Sequence, residues 1–172
     1  MGSRRLAQPQ GAASSPLRGM LFPGLLAVIL VLGLTGLRIV APEPRVDSEW
    51  VPVTALANVP GGIAAQPVFN EYGFGGWLIF NGVRPFIDGR NDMYGDAAMQ
   101  AYIDTEAAKS PGGVEQAFRR YGVAWTILKP SSPLAAYLDK TPGWVRFYAD
   151  AWAVVHVRGD ILRANQQAQL AR

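Results

Sequence analysis

The residues of this chain that could do chemistry stand in two short motifs, each placed after a predicted strand. The first motif is Asn70-Glu71-Tyr72, and the second extends from Asp88 to Tyr94. Carboxylates can transfer protons or ligate hard cations, a guanidinium can bind a carboxylate or a phosphate, and tyrosine rings can stack on a sugar or a peptide. The candidate ligand-binding residues are Asn70, Glu71, Tyr72, Asp88, Arg90, Asp92 and Tyr94.

Each candidate also has a structural interpretation. Asp88 and Arg90 flank Gly89, and such a pair often only secures a turn, while Asn70 is a residue type that favours turns and caps. Three hypotheses are therefore open. The two motifs recognise a ligand, or Glu71, Asp88 and Arg90 form an active site, or the motifs only stabilise the turns. The sequence assigns no catalytic residue.

Other kinds of active site find little support. The chain contains no cysteine, which excludes disulfides, thiol catalysis and thiolate metal sites. Its only histidine, His156, lies in a predicted strand and is interpreted as structural, so no Ser-His-Asp triad can be argued. The glycines between Gly73 and Gly76 lack a complete nucleotide-binding pattern. The spacing of Asp88 and Asp92 does not define a metal site, and we expect neither a metal nor another cofactor.

The elements that must position the motifs form an α/β pattern. Apolar runs bounded by turn residues predict a small mixed sheet of about five strands with helices packed on it. The predicted strands are Gln66–Phe69, Arg84–Ile87, Ala124–Leu128, Trp144–Tyr148 and Trp152–Arg158. If the first three strands are parallel, the two motifs and Ser131-Ser132 follow carboxyl ends of strands and meet at one edge of the sheet.

A second feature is an uncharged apolar run from Gly19 to Leu37, which is long enough to cross a bilayer as a helix. A cleaved signal peptide is the competing interpretation, because it has the same basic and apolar regions. We expect a disordered cytoplasmic tail at 1–18, a transmembrane helix at 19–41, a linker with a short helix at 42–65, an α/β domain at 66–160 and a polar C-terminal tail at 161–172.

The charge distribution bears on orientation and on partners. Residues 1–46 contain five arginines and one glutamate, whereas residues 47–172 contain eleven basic and twelve acidic residues. Arginines before the apolar run outnumber those directly after it, so the positive-inside rule predicts a cytoplasmic N-terminus and an extracytoplasmic domain. Because the domain itself has no excess of positive charge, binding to nucleic acid is not expected.

The motif string resembles one region of a known group of proteins. The residues that carry the resemblance are Val68-Phe69-Asn70-Glu71-Tyr72, Gly75-Gly76-Trp77-Leu78-Ile79, Phe86-Ile87-Asp88-Gly89-Arg90, Asp92-Met93-Tyr94-Gly95 and Tyr121-Gly122-Val123-Ala124-Trp125. Together with the membrane span, they resemble the extracytoplasmic C-terminal domain of bacterial polytopic glycosyltransferase-like membrane proteins that use lipid-linked sugars. A looser similarity connects Glu71-Tyr72-Gly73 with the Trp-Trp-Asp-Tyr-Gly motif of oligosaccharyltransferase catalytic subunits, although Phe69 and Asn70 replace its tryptophans.

The resemblance implies a role in binding or assembly during cell-envelope glycan or glycoprotein synthesis, at the bacterial inner membrane. Such enzymes build their donor site among many membrane helices, so a chain with one span is not expected to be catalytic alone. The alternative that the resemblance implies is an enzyme that transfers or hydrolyses glycosyl groups with Glu71, Asp88 and Arg90. The implied partners are the lipid bilayer, a polytopic membrane protein, and a saccharide or peptide acceptor. Whether the chain is a complete gene product or a fragment of a polytopic protein stays open.

Overall fold

The computed structural model of the protein describes residues 16–40 and 44–171, without the side chains of 16–21 and of Asn91. It contains two compact units, one extending to Pro44 and one beginning at Arg45. Most of the tail predicted at 1–18 lies outside the described residues, while 16–18 are helical.

The first unit contains the helix α1 (Pro16–Val40). Within it, Phe22–Val40 is long and apolar enough to cross a membrane, and the side chains along this stretch are exposed in the unit itself. No other helix of the described residues has these properties. As a helix, the 19 residues of this stretch extend about 28 Å, which is close to the roughly 30 Å hydrocarbon core of a bilayer.

The second unit is built on a mixed sheet of four strands. They are β1 (Val68–Asn70), β2 (Trp125–Leu128), β3 (Trp144–Ala149) and β4 (Val154–Arg158). The strand order is β1-β2-β4-β3, with β1 parallel to β2 and the two other pairs antiparallel. The prediction of a mixed α/β sheet is confirmed, but the predicted number of strands is wrong, because the described residues form four strands and not five.

The missing strand is Arg84–Ile87, and the reason is visible in its hydrogen bonds. Pro85 has no N–H to give to a strand neighbour. The backbone of the next two residues is instead bound by one side chain, that of Asn70. Its Oδ1 accepts from the N–H of Phe86 at 2.7 Å, and its Nδ2 donates to the carbonyl of Ile87 at 2.9 Å. An amide side chain thus replaces the ladder that a fifth strand would have formed.

Helices cover both faces of the sheet. The helices of the second unit are α2 (Val53–Ala57), α3 (Gly61–Ala64), α4 (Gly75–Phe80), α5 (Asp96–Glu106), α6 (Pro111–Tyr121), α7 (Pro133–Leu138) and α8 (Gly159–Leu170). Short 3-10 helices occupy Tyr72–Phe74 and Asn91–Met93. One apolar cluster joins the sheet to α2, α3, α4 and α8, and a second cluster joins it to α5, α6 and α7.

The C-terminal segment differs from the prediction. The range 161–172, expected as a polar C-terminal tail, is helical as part of α8 up to Leu170. Ile161 and Leu162 at the beginning of this helix pack against the first apolar cluster. This contact fixes the first turn, from which the polar remainder of the helix can continue.

Candidate functional site

The parallel pairing of β1 and β2 brings the carboxyl ends of both strands to one edge of the sheet. Glu71 continues the ladder after β1, since its N–H donates to the carbonyl of Ile127 at 2.8 Å. Its carboxylate lies 3.5 Å from the ammonium group of Lys129, the residue that follows β2. The ammonium group also lies 5.2 Å from the ring centroid of Trp50, which is a cation-π distance. We call Trp50, Glu71 and Lys129 the strand-end cluster.

Asn70 lies beside this cluster but is fully buried. Besides its bonds to Phe86 and Ile87, its Nδ2 donates to the carbonyl of Glu71 at 2.8 Å. The amide therefore has protein partners for both its oxygen and its nitrogen. Asn70 therefore fixes the backbone of the two segments that it joins.

Asp88 is the centre of a second group, although it is almost completely buried. Its carboxylate accepts from the backbone N–H of Arg90 at 3.0 Å, from the guanidinium of Arg90 at 2.9 and 2.6 Å, and from the hydroxyl of Tyr94 at 3.0 Å. We call Asp88, Arg90 and Tyr94 the Asp88 triad. The hydrogen bonds from Arg90 hold the pKa of the Asp88 carboxyl well below its usual range, against the opposing effect of burial.

The hydrogen bonds of the Asp88 triad fix the charges of its acid and its base. Asp88 stays ionised at any physiological pH, and its hydrogen bonds raise the pKa of Arg90 further. Burial and the bond to Asp88 raise the pKa of Tyr94 as well. A general acid or base needs a pKa near the working pH, which this group does not provide. The geometry at Asp88 thus favours positioning or recognition over catalysis.

The remaining candidates are not brought into one site. Tyr72 donates its backbone N–H to the hydroxyl of Tyr102 at 2.9 Å. The hydroxyl oxygen of Tyr72 would lie 4.0 Å from a Cβ atom added to Gly89, in the loop of the Asp88 triad. Asp92 is exposed and makes no side-chain hydrogen bond or ion pair with any residue that the structure describes. No three metal-ligating side chains come together in the described ranges.

A cleft of about 620 Å³ lies beside β1. Its residues come from the segment between the end of α3 and β1, from the segment between α4 and α5, and from α5 and α6. They are Ala64, Ala65, Gln66, Pro67, Val68, Gly82, Arg84, Pro85, Phe86, Ile87, Tyr94, Ala98 and Tyr121. The rings of Phe86 and Tyr121 meet edge to face with centroids 4.9 Å apart. Of the candidates predicted from the sequence, Tyr94 alone lines this cleft.

Sequence reasoning missed several residues of the strand-end cluster and of the cleft. Lys129 directly follows a strand that was predicted, yet the strand-end argument was applied to Ser131-Ser132. Ser132 is instead the N-cap of α7, accepting from the N–H of Ala135, and is buried. Arg84 was predicted to lie in a strand, and neither Arg84 nor Tyr121 was proposed as a binding residue. Trp50 had no sequence signal, because its contact with Lys129 depends on tertiary structure.

Comparisons with protein-family models, with curated proteins and with solved structures found no match to this chain. The resemblance to glycosyltransferase-like membrane proteins therefore stays a prediction.

Proposed function

We propose that this chain is a membrane-anchored binding module that holds a saccharide or peptide acceptor in the cleft beside β1. In this role α1 is the anchor, and the α/β domain lies outside the cytoplasm at the bacterial inner membrane. The module serves cell-envelope glycan or glycoprotein synthesis, together with a polytopic membrane protein that supplies the catalytic site.

The observation that carries this proposal is the composition of the cleft. Its volume of about 620 Å³ lies within the range of roughly 300–1,000 Å³ that is usual for ligand sites. The aromatic faces of Phe86, Tyr94 and Tyr121 suit the apolar face of a sugar ring or a peptide side chain. Arg84 lies exposed at the cleft and makes no ion pair within the described residues, so its guanidinium is free for a carboxylate or phosphate.

One residue from each predicted motif holds residues of the cleft in place. Asn70 holds the backbone of Phe86 and Ile87, and Asp88 holds the hydroxyl of Tyr94. Both interactions fix cleft residues before any ligand arrives, which lowers the entropic cost of binding. In this account Asn70 and Asp88 are positioning residues.

A purely structural, membrane-anchored domain is the second candidate function. It is favoured by the complete internal hydrogen bonding of Asn70 and Asp88, which needs no ligand to explain it. The two candidates differ in what they predict for the cleft, because a structural domain has no reason to bind a saccharide or a peptide there.

Ligand-observed NMR on the full chain in nanodiscs tests the proposal. A panel of oligosaccharides and short acidic and neutral peptides is added, and saturation transfer from protein to ligand is measured. We expect transfer to at least one class, and we expect Arg84→Ala and Tyr121→Ala to weaken it by about tenfold in affinity, the equivalent of one lost charged hydrogen bond or stacking contact.

Val145→Ala is the matched control, since Val145 is about as exposed as Tyr121, at 41% against 42%, but lies on β3 at the other edge of the sheet. This substitution should leave ligand binding unchanged. Absence of transfer to every saccharide and peptide, together with purification from native membranes without a polytopic partner, would favour the structural candidate.

A further inference from the structure

The outward side of α4 is apolar, although helices on the surface of a soluble domain usually turn polar side chains outward. Gly76, Ile79 and Phe80 are its exposed residues, and 64% of Phe80 is accessible. The inward residue Leu78 is fully buried in the apolar cluster. The helix is therefore apolar on both sides, and its outer residues stay largely exposed in the described part of the chain.

An arginine accompanies this apolar surface. The guanidinium carbon of Arg45 lies 4.0 Å from the ring centroid of Phe80 and 5.2 Å from that of Trp77. The rings of Trp77 and Phe80 are themselves stacked, with centroids 5.6 Å apart and an angle of 14°. We call Arg45, Trp77, Ile79 and Phe80 the α4 face.

This composition is that of a membrane-interface surface. Tryptophan and other aromatic rings are enriched where hydrocarbon meets headgroups, and apolar helix faces insert there by about 5–10 Å. An arginine can lay its stem on the apolar surface while its guanidinium binds a headgroup phosphate. Water or a polar protein surface would leave the exposed rings without comparable partners.

The chain itself keeps this surface close to the membrane. Only residues 41–44 separate the end of α1, at Val40, from Arg45. Five peptide steps extend at most about 18 Å, even when fully extended. A bilayer that holds α1 therefore lies within reach of Arg45 in any arrangement of the two units.

We propose that the α4 face docks on the surface of the bilayer that α1 spans, with phospholipid headgroups and the upper acyl chains as its partner. This inference rests on the membrane anchor of the proposed function, and it is independent of the ligand in the cleft. Docking would restrict the motion of the domain relative to the membrane surface.

The absence of cysteine from the chain allows one fluorophore to be placed at a time. Ile79→Cys and Ile103→Cys form a matched pair, because 46% and 44% of the two isoleucines are exposed while their helices, α4 and α5, lie on opposite faces of the sheet. The full chain, labelled with an environment-sensitive dye, is reconstituted in vesicles of phosphatidylethanolamine and phosphatidylglycerol. Lipids with a nitroxide near the headgroup serve as quenchers.

We expect the nitroxide lipids to reduce dye emission at position 79 on the order of twofold, and to have little effect at position 103. Phe80→Cys provides a second position that should behave like position 79. A label at Leu30→Cys, in the middle of α1, reports separately whether the anchor is inserted, and for this position the quenching lipids carry the nitroxide near the end of an acyl chain, at the centre of the bilayer.

The outcomes distinguish docking of the α4 face from insertion of α1 in the membrane. Quenching at position 30 without greater quenching at 79 and 80 than at 103 would overturn docking of the α4 face and leave the anchor intact. Loss of quenching at position 30 would overturn both. Protection of position 79 from aqueous iodide without quenching by the lipids would also overturn the inference, because a protein and not the bilayer would then cover the face.

Discussion

At the residue scale, one buried amide replaces a whole strand pairing. Asn70 binds the backbone of Phe86 and Ile87, which lie in the only predicted strand that does not form. Removal of this amide leaves several buried backbone groups without partners, and each such group costs about 1–3 kcal/mol. The loop that forms one wall of the cleft therefore depends on a single side chain.

We predict that Asn70→Ala lowers the free energy of unfolding by about 2–4 kcal/mol. Asn81→Ala is the control, because Asn81 is exposed and its side-chain amide donates to the carbonyl of Trp77, and the substitution should cost less than about 1 kcal/mol. Urea titration in detergent, followed by tryptophan fluorescence, measures both. All tryptophans lie beyond residue 45, so the signal reports on the second unit alone. Equal costs for the two variants would contradict the role given to Asn70.

Asp88 and Asp92 are both acids of the same motif, yet their environments differ completely. Asp88 accepts from Arg90 and Tyr94 in a buried site, whereas Asp92 is exposed. We expect Asp88→Asn to lower the free energy of unfolding by about 1–3 kcal/mol, and Asp92→Asn to change it by less than about 0.5 kcal/mol. The same urea titration measures this. A stabilising effect of Asp88→Asn would instead indicate an acid held for catalysis at the expense of stability.

His156 gives the domain a pH dependence that can be assigned to one residue. It is fully buried, its Nε2 lies 2.8 Å from Asp139 Oδ1, and it is the only histidine of the chain. Burial lowers the pKa of His156, although the bond to Asp139 opposes this change. The folded state therefore binds this proton less readily than the unfolded state, whose histidine titrates near pH 6.5.

Stability should accordingly fall as the pH decreases below about 6.5, the pKa of the unfolded histidine, towards the lowered pKa of the folded state, by up to about 1.4 kcal/mol per pH unit. Urea titrations at several pH values measure the slope, and His156→Gln should remove it whatever its effect on absolute stability. Asp139 does not interfere, because the bond from Arg146 lowers its pKa to about 2. A slope that persists in His156→Gln, or a gain in stability on acidification of the natural chain, would show that another group is responsible.

At the scale of the element, the close approach of α4 to the Asp88 loop requires a glycine. A Cβ atom on Gly75 would overlap the carbonyl oxygen of Ile87 and lie 2.6 Å from Asp88 Cα. The neighbouring Gly76 faces open space in the same helix. Packing against the loop therefore requires a glycine at position 75 but leaves room for a side chain at position 76.

We predict that Gly75→Ala lowers the free energy of unfolding by about 1–3 kcal/mol, because α4 or the loop must shift. Gly76→Ala should raise it by up to about 1 kcal/mol, since alanine favours a helix over glycine. Thermal and urea unfolding of the two variants test this directly. The same sign of change in both variants would show that α4 does not pack on the loop as described.

The elements that the sequence predicts well are those whose signals are local. Ser132 before Pro133 marks the beginning of α7, and Gly122 ends α6 in the left-handed conformation with φ of 63°. The fifth strand was predicted wrongly because pairing is not local: nothing near Arg84 shows that Asn70 will bind its neighbours. The helix α8 was missed because its apolar contacts occur only in the first turn, at Ile161 and Leu162.

The candidate site was likewise predicted only where its residues lie close together in the sequence. The sequence identified Asp88, Arg90 and Tyr94 as a group, since all three lie within one loop. It did not identify Lys129 as the partner of Glu71, because their contact depends on the parallel pairing of two strands far apart in the chain. The role of a buried acid also depends on its neighbours, which composition and spacing do not give.

At the scale of the whole molecule, the chain combines one helix that can cross a membrane with an α/β unit that has an aromatic cleft. The proposed function joins these two features: the anchor sets where the domain works, and the cleft sets what it holds. The central claim is that the cleft is occupied by a saccharide or a peptide when the protein is in its native membrane.

Photo-crosslinking in living cells tests this claim most directly. A photoreactive phenylalanine derivative replaces Tyr121 in the cleft or, as the control, Ile103 on α5, whose exposure is similar at 44% against 42%. Mass spectrometry then identifies whatever is attached to the chain after irradiation. The account predicts a saccharide or peptide adduct at position 121 that is absent at position 103. The absence of any such adduct at position 121, or the same adducts at both positions, would contradict it.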